Sequence, residues 1–406
     1  MEGDLINTNK ALQPLSWLYG LGVNFRNMLF EMGILKSRSF DVPVISVGNI
    51  TVGGTGKTPH VEYLIRLLKD NFKVAVLSRG YKRKTHGFLR ADKNSTVRDI
   101  GDEPFQMKTK FPDITVAVDG KRTRGITQLT SGDSDSQPDV ILLDDAFQHR
   151  YVKPGINIML VDYHHLIIYD RLLPSGRLRE PVKSKDRADI VIITKCPTDM
   201  KPMEYRVITK AMKLYPYQRL FFSTHEYDAP KPVFPDLSNR ESIESLGVID
   251  SMGVLESLDP LSPLAGKNIL LLTGIASPEQ MVQDLTPVTP NISTLTFGDH
   301  HAFRPKDIRR INERFSALPD PKLIITTEKD ATRLEAVEGL SDEVKSHLYT
   351  LPIHMTIMMG QQDDFNNHII KYVRKNSRNS ILVKGKDDHK SKDSHRSGDR
   401  PRTISF

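Results

Sequence analysis

Runs rich in valine, isoleucine and leucine alternate with helical stretches, a glycine-rich loop sits between the first such run and the first helix, and a later hydrophobic run ends in two aspartates. These three observations predict an α/β fold with a P-loop NTPase-like (Rossmann-like) lobe. A second set of apolar runs predicts a smaller α/β lobe after it. An apolar stripe near the start predicts an N-terminal amphipathic helix.

That helix rests on Leu15, Leu18, Leu21, Phe25, Met28, Met32 and Leu35, which recur at spacings of three or four. Trp17, Tyr19, Leu29 and Phe30 widen the stripe, and Asn24, Arg26, Asn27 and Glu31 form the polar side. Periodicity alone favours docking of the apolar face on the protein's own core. The lone tryptophan and the wide apolar arc keep a membrane-interface helix open as the alternative.

The first set of strands is predicted at 43–49, 73–81, 139–145, 156–162 and 189–195, most without polar alternation, as strands buried on both faces should be. His60–Asn71 reads as the crossover helix of a βαβ unit. The second set lies at 268–275, 292–298, 322–327 and 347–353. The expected organisation is a helical segment over 1–40, the P-loop domain over 41–225, a linker over 226–266, the second lobe over 267–373 and a basic tail over 374–406.

Composition excludes several classes. The chain has 406 residues, 38% hydrophobic and 26% charged, and lacks the run of about 18 apolar residues that a spanning helix needs. Its acidic start is not followed by an apolar core with a small-residue cleavage site, so no signal peptide is expected. The single cysteine, Cys196, forms no internal disulfide and fits a reducing compartment. The net charge of +7 is concentrated in the tail, where ten basic residues face four acidic ones from Arg374 onward. The remainder is near neutral, so no nucleic-acid face is expected.

The strongest chemical signal is Thr51-Val52-Gly53-Gly54-Thr55-Gly56-Lys57-Thr58, between a strand and a helix. Glycines let successive N–H groups turn toward phosphate oxygens, Lys57 would reach the terminal phosphates, and the Thr58 hydroxyl would bind Mg²⁺. Thr51 stands where the common pattern has glycine. The hydrophobic run Val140–Asp145 supplies the two carboxylates of a Walker-type strand. Together they point to a site for ATP and Mg²⁺. Val52 occupies the position of the signature lysine of dimerising ATPases, and Thr194-Lys195-Cys196-Pro197 lacks the aspartate of a guanine reader. A P-loop ATPase or switch protein without lipid phosphorylation remains the alternative to a kinase.

In their joint order, residues 43–59, Leu77–Lys84, Gly101–Pro104, Leu142–His149, Leu173–Pro181, Gly298–Phe303 and Thr326–Ala331 make the chain resemble the tetraacyldisaccharide 4′-kinases, the lipid A 4′-kinases of Gram-negative bacteria. The resemblance implies transfer of the ATP γ-phosphoryl group to the 4′-hydroxyl of an acylated disaccharide 1-phosphate. It also implies a peripheral position at the cytoplasmic face of the inner membrane, held by the N-terminal helix. The family's general base maps to Asp102, aided by His300, although Asp102 also reads as an ordinary helix start. Metal ligands implied are Thr58, Asp144, Asp145 and Glu180. Expected substrate contacts are Tyr81, Arg122, Gln148, Arg177 and Arg179, since guanidinium forks match phosphate geometry. Ala146 departs from the glycine that often follows the paired aspartates.

Overall fold

The computed structural model describes residues 10–133, 136–237, 259–275, 278–298 and 301–377. The runs predicted as strands form two sheets. Among the described residues the larger has nine strands, in the order β14-β8-β7-β6-β1-β5-β2-β4-β3. At its centre β1 (Val44–Gly48) lies parallel to β5 (Val140–Asp144) on one side and β6 (Ile156–Asp162) on the other. Every residue of these three strands is buried, which accounts for their unalternated apolar sequence. Beyond β5 lie β2 (Val74–Ser78), β4 (Thr115–Val118) and the edge strand β3 (Leu89–Arg90). Beyond β6 lie β7 (Ile190–Thr194) and β8 (Arg219–Tyr227).

Helix α2 (Lys57–Leu68) is the predicted crossover. It buries Val61, Leu64, Ile65 and Leu68 against the sheet. The short helices α3 (Val97–Ile100) and α4 (Asp102–Lys110) precede β4, and α5 (Arg122–Thr130) follows it. Helix α6 (Pro202–Met212) connects β7 to β8.

The smaller sheet has the order β11-β10-β12-β13-β9. Here β10 (Asn268–Thr273) is parallel to β11 (Ile292–Thr296) and β12 (Lys322–Thr326), and β13 (Leu348–Thr350) pairs antiparallel with β9 (Lys231–Pro232). Helices α7 (Glu279–Leu285), α8 (Pro305–Ser316), α9 (Glu328–Glu335) and α10 (Asp342–Ser346) complete this lobe.

The strand pairing divides the chain differently from the lobe expected over 267–373. After β13 the chain returns to the large sheet, where β14 (Ile353–Ile357) pairs antiparallel with β8. Helix α11 (Gln362–Asn376) then buries Phe365, Ile369 and Val373 in the same core as α2. Likewise β9, inside the expected linker over 226–266, belongs to the smaller sheet. The physical cause is an open edge: β8 has a free side that an antiparallel strand closes. Most of the expected linker and of the basic tail lies outside the described residues, and α11 takes up the first residues of that tail.

The N-terminal helix is present as α1 (Gln13–Glu31), but it faces opposite to the docking that periodicity favours. Its buried residues are Ser16, Gly20, Asn27 and Phe30, whereas Trp17, Leu18, Leu21 and Phe25 are 58–68% exposed. Hydrogen bonds fasten the polar side to the body. Ser16 Oγ donates to the Leu172 carbonyl at 3.0 Å and accepts from Ser175 N–H at 2.9 Å. Among the described residues no helix is long and apolar enough to cross a membrane.

Candidate active site

The phosphate loop leaves β1 at Gly48. A Cβ there would lie 2.7 Å from the backbone nitrogen of Phe147, so only glycine lets the ends of β1 and β5 close together. The next residue, Asn49, is fully buried and braces the loop from inside, donating to Thr51 Oγ1 at 3.2 Å and Thr55 Oγ1 at 2.8 Å. Val52 N–H donates to the Arg177 carbonyl at 2.8 Å, and Arg179 N–H donates to the Ile50 carbonyl at 2.7 Å. The Thr194 hydroxyl donates to the Thr55 carbonyl at 3.1 Å. Gly56 begins α2 from the left-handed region at φ 76°. Gly53 and Gly54 are exposed, with open space where a side chain would stand. The result is a braced cradle with its glycine backbone bare, at the positive end of a helix, as a polyphosphate requires.

Two carboxylates face this cradle. Asp144 ends β5 beside Val47 of β1, and its Oδ2 accepts from Ser78 Oγ at 3.0 Å. Its Oδ1 is buried without a hydrogen-bond partner among the described residues. Burial, followed by the charges of Glu103 and Asp145, pushes Asp144 up to about 7. Asp145 adopts φ 47°, a left-handed conformation that aspartate tolerates. Its carboxylate lies 3.5 Å from Lys57 Nζ and 3.7 Å from Arg179 Nη1. Burial pushes Asp145 up, but Lys57, Arg179 and Arg122 outweigh it and hold the carboxyl below its ordinary range. Glu103 and Ser78 thus join the site. Both stand in motifs that the sequence singles out, yet neither has a spacing that announces its role.

The expected ligands for Mg²⁺ fit in part. An unpartnered buried carboxylate oxygen beside like charges suits a hard divalent cation, and Thr58 lies half-buried on the first turn of α2. Glu180 is engaged elsewhere: it is buried and ion-paired to Arg187 at 2.6 Å, whose guanidinium stacks on Phe147. Among the described residues no three His, Cys, Asp or Glu side chains converge on one point. Asp144, Asp145 and Glu180 therefore make no cage of their own, so phosphate oxygens and water would have to complete an octahedron around the ion.

Asp102 opens α4 behind Gly101, whose φ is 92° and whose missing Cβ leaves room for the Tyr81 carbonyl. Its Oδ2 accepts from Arg333 Nη2 of α9, so the carboxylate expected to act as base sits where the two lobes meet. His300 lies outside the described residues. Its neighbour His301 is within hydrogen-bond distance of Asp307 at 2.9 Å and stacks on Phe297.

The expected substrate contacts divide into two groups. Tyr81 is exposed and, with Arg79, Lys82, Arg83, Lys121 and Arg124, lines a basic cavity of about 420 Å³. Arg177 is exposed and Arg179 half-buried, on the segment that braces the phosphate loop. Arg122, by contrast, is 2% exposed. Its guanidinium donates to the carbonyls of Asp119 at 2.6 Å and Asp144 at 2.9 Å, and burial pushes it down to about 10. It stands behind the carboxylates and holds the ends of β4 and β5. The Gln148 side chain turns to the Asn49 carbonyl, while its own carbonyl accepts from Arg26 of α1 at 2.9 Å. A larger cavity, about 610 Å³, lies at the opposite edge of the sheet, near the starts of β2, β4 and β5.

A family model described as tetraacyldisaccharide-1-P 4′-kinase matches residues 8–374. The chain is 54% identical over 392 residues to the tetraacyldisaccharide 4′-kinase of Bacteroides thetaiotaomicron, covering 96% of this chain and 100% of that one. It is 55% identical over 381 residues to that of Phocaeicola vulgatus, covering 94% and 99%. Its fold is similar to that of LpxK from Aquifex aeolicus, whose crystal structure is in complex with ATP, at 28% identity and a TM-score of 0.64, covering 89% of this chain and 98% of that one.

Proposed function

The chain belongs to the tetraacyldisaccharide-1-P 4′-kinase family, and from that membership we propose how its own residues carry the reaction and where they do so. The reaction is transfer of the γ-phosphoryl group of ATP to the 4′-hydroxyl of tetraacyldisaccharide 1-phosphate, giving lipid IVA in lipid A biosynthesis. The observation that supports the site best is the bare glycine cradle with Lys57 and the Asp144–Asp145 pair set against it.

The backbone of Gly53–Gly56 and the Lys57 ammonium hold the polyphosphate. Thr58, Asp144 and Asp145, with Glu103 nearby, are the groups suited to Mg²⁺, which when bound would neutralise charge developing between the β- and γ-phosphates. Asp102 accepts the proton of the 4′-hydroxyl as that oxygen bonds to the γ-phosphorus. The bond to the β,γ-bridging oxygen breaks, and ADP leaves. His300 is proposed to assist Asp102. Tyr81 and the basic cavity around it suit the anionic 1-phosphate end of the lipid, and Arg177 and Arg179 guard the phosphate-loop side. Arg122, Gln148 and Glu180 support the walls of the site.

The reaction is proposed to take place at the cytoplasmic surface of the inner membrane, where ATP meets an acylated substrate. Support comes from the outward apolar stripe of α1 and from its attachments. The Tyr19 hydroxyl donates to the Arg179 carbonyl at 2.9 Å, and Arg26 donates to the Gln148 carbonyl. A helix lying in the interface would therefore hold the site beside the lipid headgroups.

Transfer from γ-labelled ATP to detergent-dispersed tetraacyldisaccharide 1-phosphate, run beside Asp102→Ala, tests the reading. Labelled lipid that disappears in the variant supports Asp102 as base; labelled lipid that persists removes it from that role. ATP hydrolysis without labelled lipid would return the ATPase reading.

A further inference from the structure

The segment Thr326–Ala331 lies outside the phosphate-loop cradle, yet it is where the smaller lobe grips α4. Thr327 caps α9, and its hydroxyl both accepts from Asp330 N–H at 3.1 Å and donates to Asp330 Oδ2 at 2.8 Å. The same Oδ2 accepts from Gly274 N–H at 2.8 Å at the end of β10. Asp330 is completely buried, and its other oxygen accepts from Arg333 Nη1 at 3.1 Å. One arm of the Arg333 fork is thus fixed to the smaller lobe, and the other grips Asp102 Oδ2. The side chains of Arg333 and Asp102 are only 10% and 15% exposed.

A second attachment holds the far end of α4. Lys110 Nζ lies 2.7 Å from Glu328 Oε1 of α9 and 2.7 Å from Glu62 Oε2 of α2. Gln106 Nε2 donates to Glu62 Oε1 at 2.9 Å. Helix α4 is therefore fastened at its start to the smaller lobe and at its end to both that lobe and the helix that begins with Lys57.

We infer that Arg333 is a positioning residue for phosphoryl transfer: anchored by Asp330, it fixes the orientation of the Asp102 carboxylate from the smaller lobe. With Oδ2 engaged by the guanidinium, the Asp102 χ angles are held and the proton-accepting oxygen is presented from one direction. The planar fork grips the two carboxylates through separate nitrogens at a fixed spacing, a geometry that a single ammonium at this position reproduces only in part. This inference rests on the reading of Asp102 as the base. It assigns α9 of the smaller lobe a part in positioning the base.

The test is a double-mutant cycle on the full chain, with kcat and the KM for ATP measured by lipid phosphorylation. Asp102→Asn alone tests the base, with an expected loss in kcat of about 10²–10⁴-fold; full activity would remove the premise. Arg333→Ala should lower kcat by about 10²-fold, the scale of a misplaced catalytic group, with the KM for ATP little changed. In the Asp102→Asn background the same substitution should cost less than about threefold, since it has no carboxylate left to orient. Arg333→Lys should recover part of the loss, and it serves as the test variant if Arg333→Ala does not fold. An equal loss in both backgrounds, unchanged kcat, or a change confined to KM would each overturn the inference while leaving Asp102 as base.

Discussion

Lys57 Nζ stands 3.5 Å from Asp145 Oδ1, so the phosphate-loop lysine and the carboxylate after the Walker-type strand are paired across the cradle. The pair keeps each charge compensated in a site where both side chains are largely shielded from water. It also fixes the lysine's reach, because Asp145 is itself held in a left-handed backbone conformation at the end of β5.

Removing the lysine should therefore have two effects. Lys57→Ala takes away the cation proposed to hold the transferring phosphate and leaves Asp145 facing Arg179 and Arg122. Loss of one preorganised charge contact of this kind costs about 10²–10³-fold in kcat. Lipid phosphorylation by the variant at saturating ATP checks this, and wild-type turnover would defeat the assignment of the loop.

Asp144 links the site to pH. Its carboxyl is pushed up to about 7 by burial, Glu103 and Asp145. A raised carboxyl contributes stability that is fully present below its unfolded value and is lost as pH rises through 7. A divalent cation reverses that cost, because it binds the ionised form and expels the proton. Mg²⁺ affinity in the presence of ATP should climb by up to about tenfold per pH unit below 7 and level off above it. The difference between wild type and Asp144→Asn isolates this contribution from the titration of ATP itself. Parallel pH profiles in the two proteins would sink the prediction.

The sequence carries the centre of this fold better than its edges. Strands such as β6, predicted and found at 156–162, are buried on both faces and unalternated, so composition alone marks them. Strand β14 pairs at an edge, exposes His354 to Glu226 and Asp228, and has no such signature. The phosphate loop is legible because its chemistry demands a local string of residues. The burial of Arg122 is not, since arginine is ordinarily a surface residue and its partners here are backbone carbonyls of Asp119 and Asp144. Asp102 and Arg333 lie 231 positions apart, and no local pattern records their contact. Periodicity identifies α1 as two-faced but does not say which face meets the protein.

His60, one turn into α2, is buried behind the loop, with Nδ1 2.7 Å from the Gly56 carbonyl and Nε2 3.0 Å from Ser223 Oγ. Burial pushes it down to about 4, against the partial opposition of the Gly56 bond. The neutral ring then donates from Nδ1 and accepts at Nε2. Between about pH 4 and 6.5 the unfolded chain binds the extra proton, so this contribution is present above 6.5 and is lost as pH falls toward 4. The full effect is roughly 3 kcal/mol. Urea unfolding at pH 7.5 and pH 5 should show a smaller acid-dependent loss for His60→Asn than for wild type. His149 and His225 are also pushed down and should leave a residual dependence. Equal losses in the two proteins would show that His60 is not the titrating group.

The apolar side of α1 offers a test that leaves the fold intact. Trp17 and Leu21 are 68% and 67% exposed, whereas Ser16, Gly20, Asn27 and Phe30 are buried against the body and Tyr19 and Arg26 hydrogen-bond to it. Trp17→Asp and Leu21→Asp should therefore leave thermal stability and activity on detergent-dispersed lipid close to wild type. At a membrane surface each side chain that would be buried contributes on the order of 1.5 kcal/mol, about tenfold in affinity. The double variant should lose about 10²-fold in flotation with vesicles of inner-membrane composition and lose activity on vesicle-borne substrate in parallel. Unchanged flotation would place the membrane contact elsewhere on the protein. An equal loss of detergent-phase activity would mean that these side chains support the catalytic body instead.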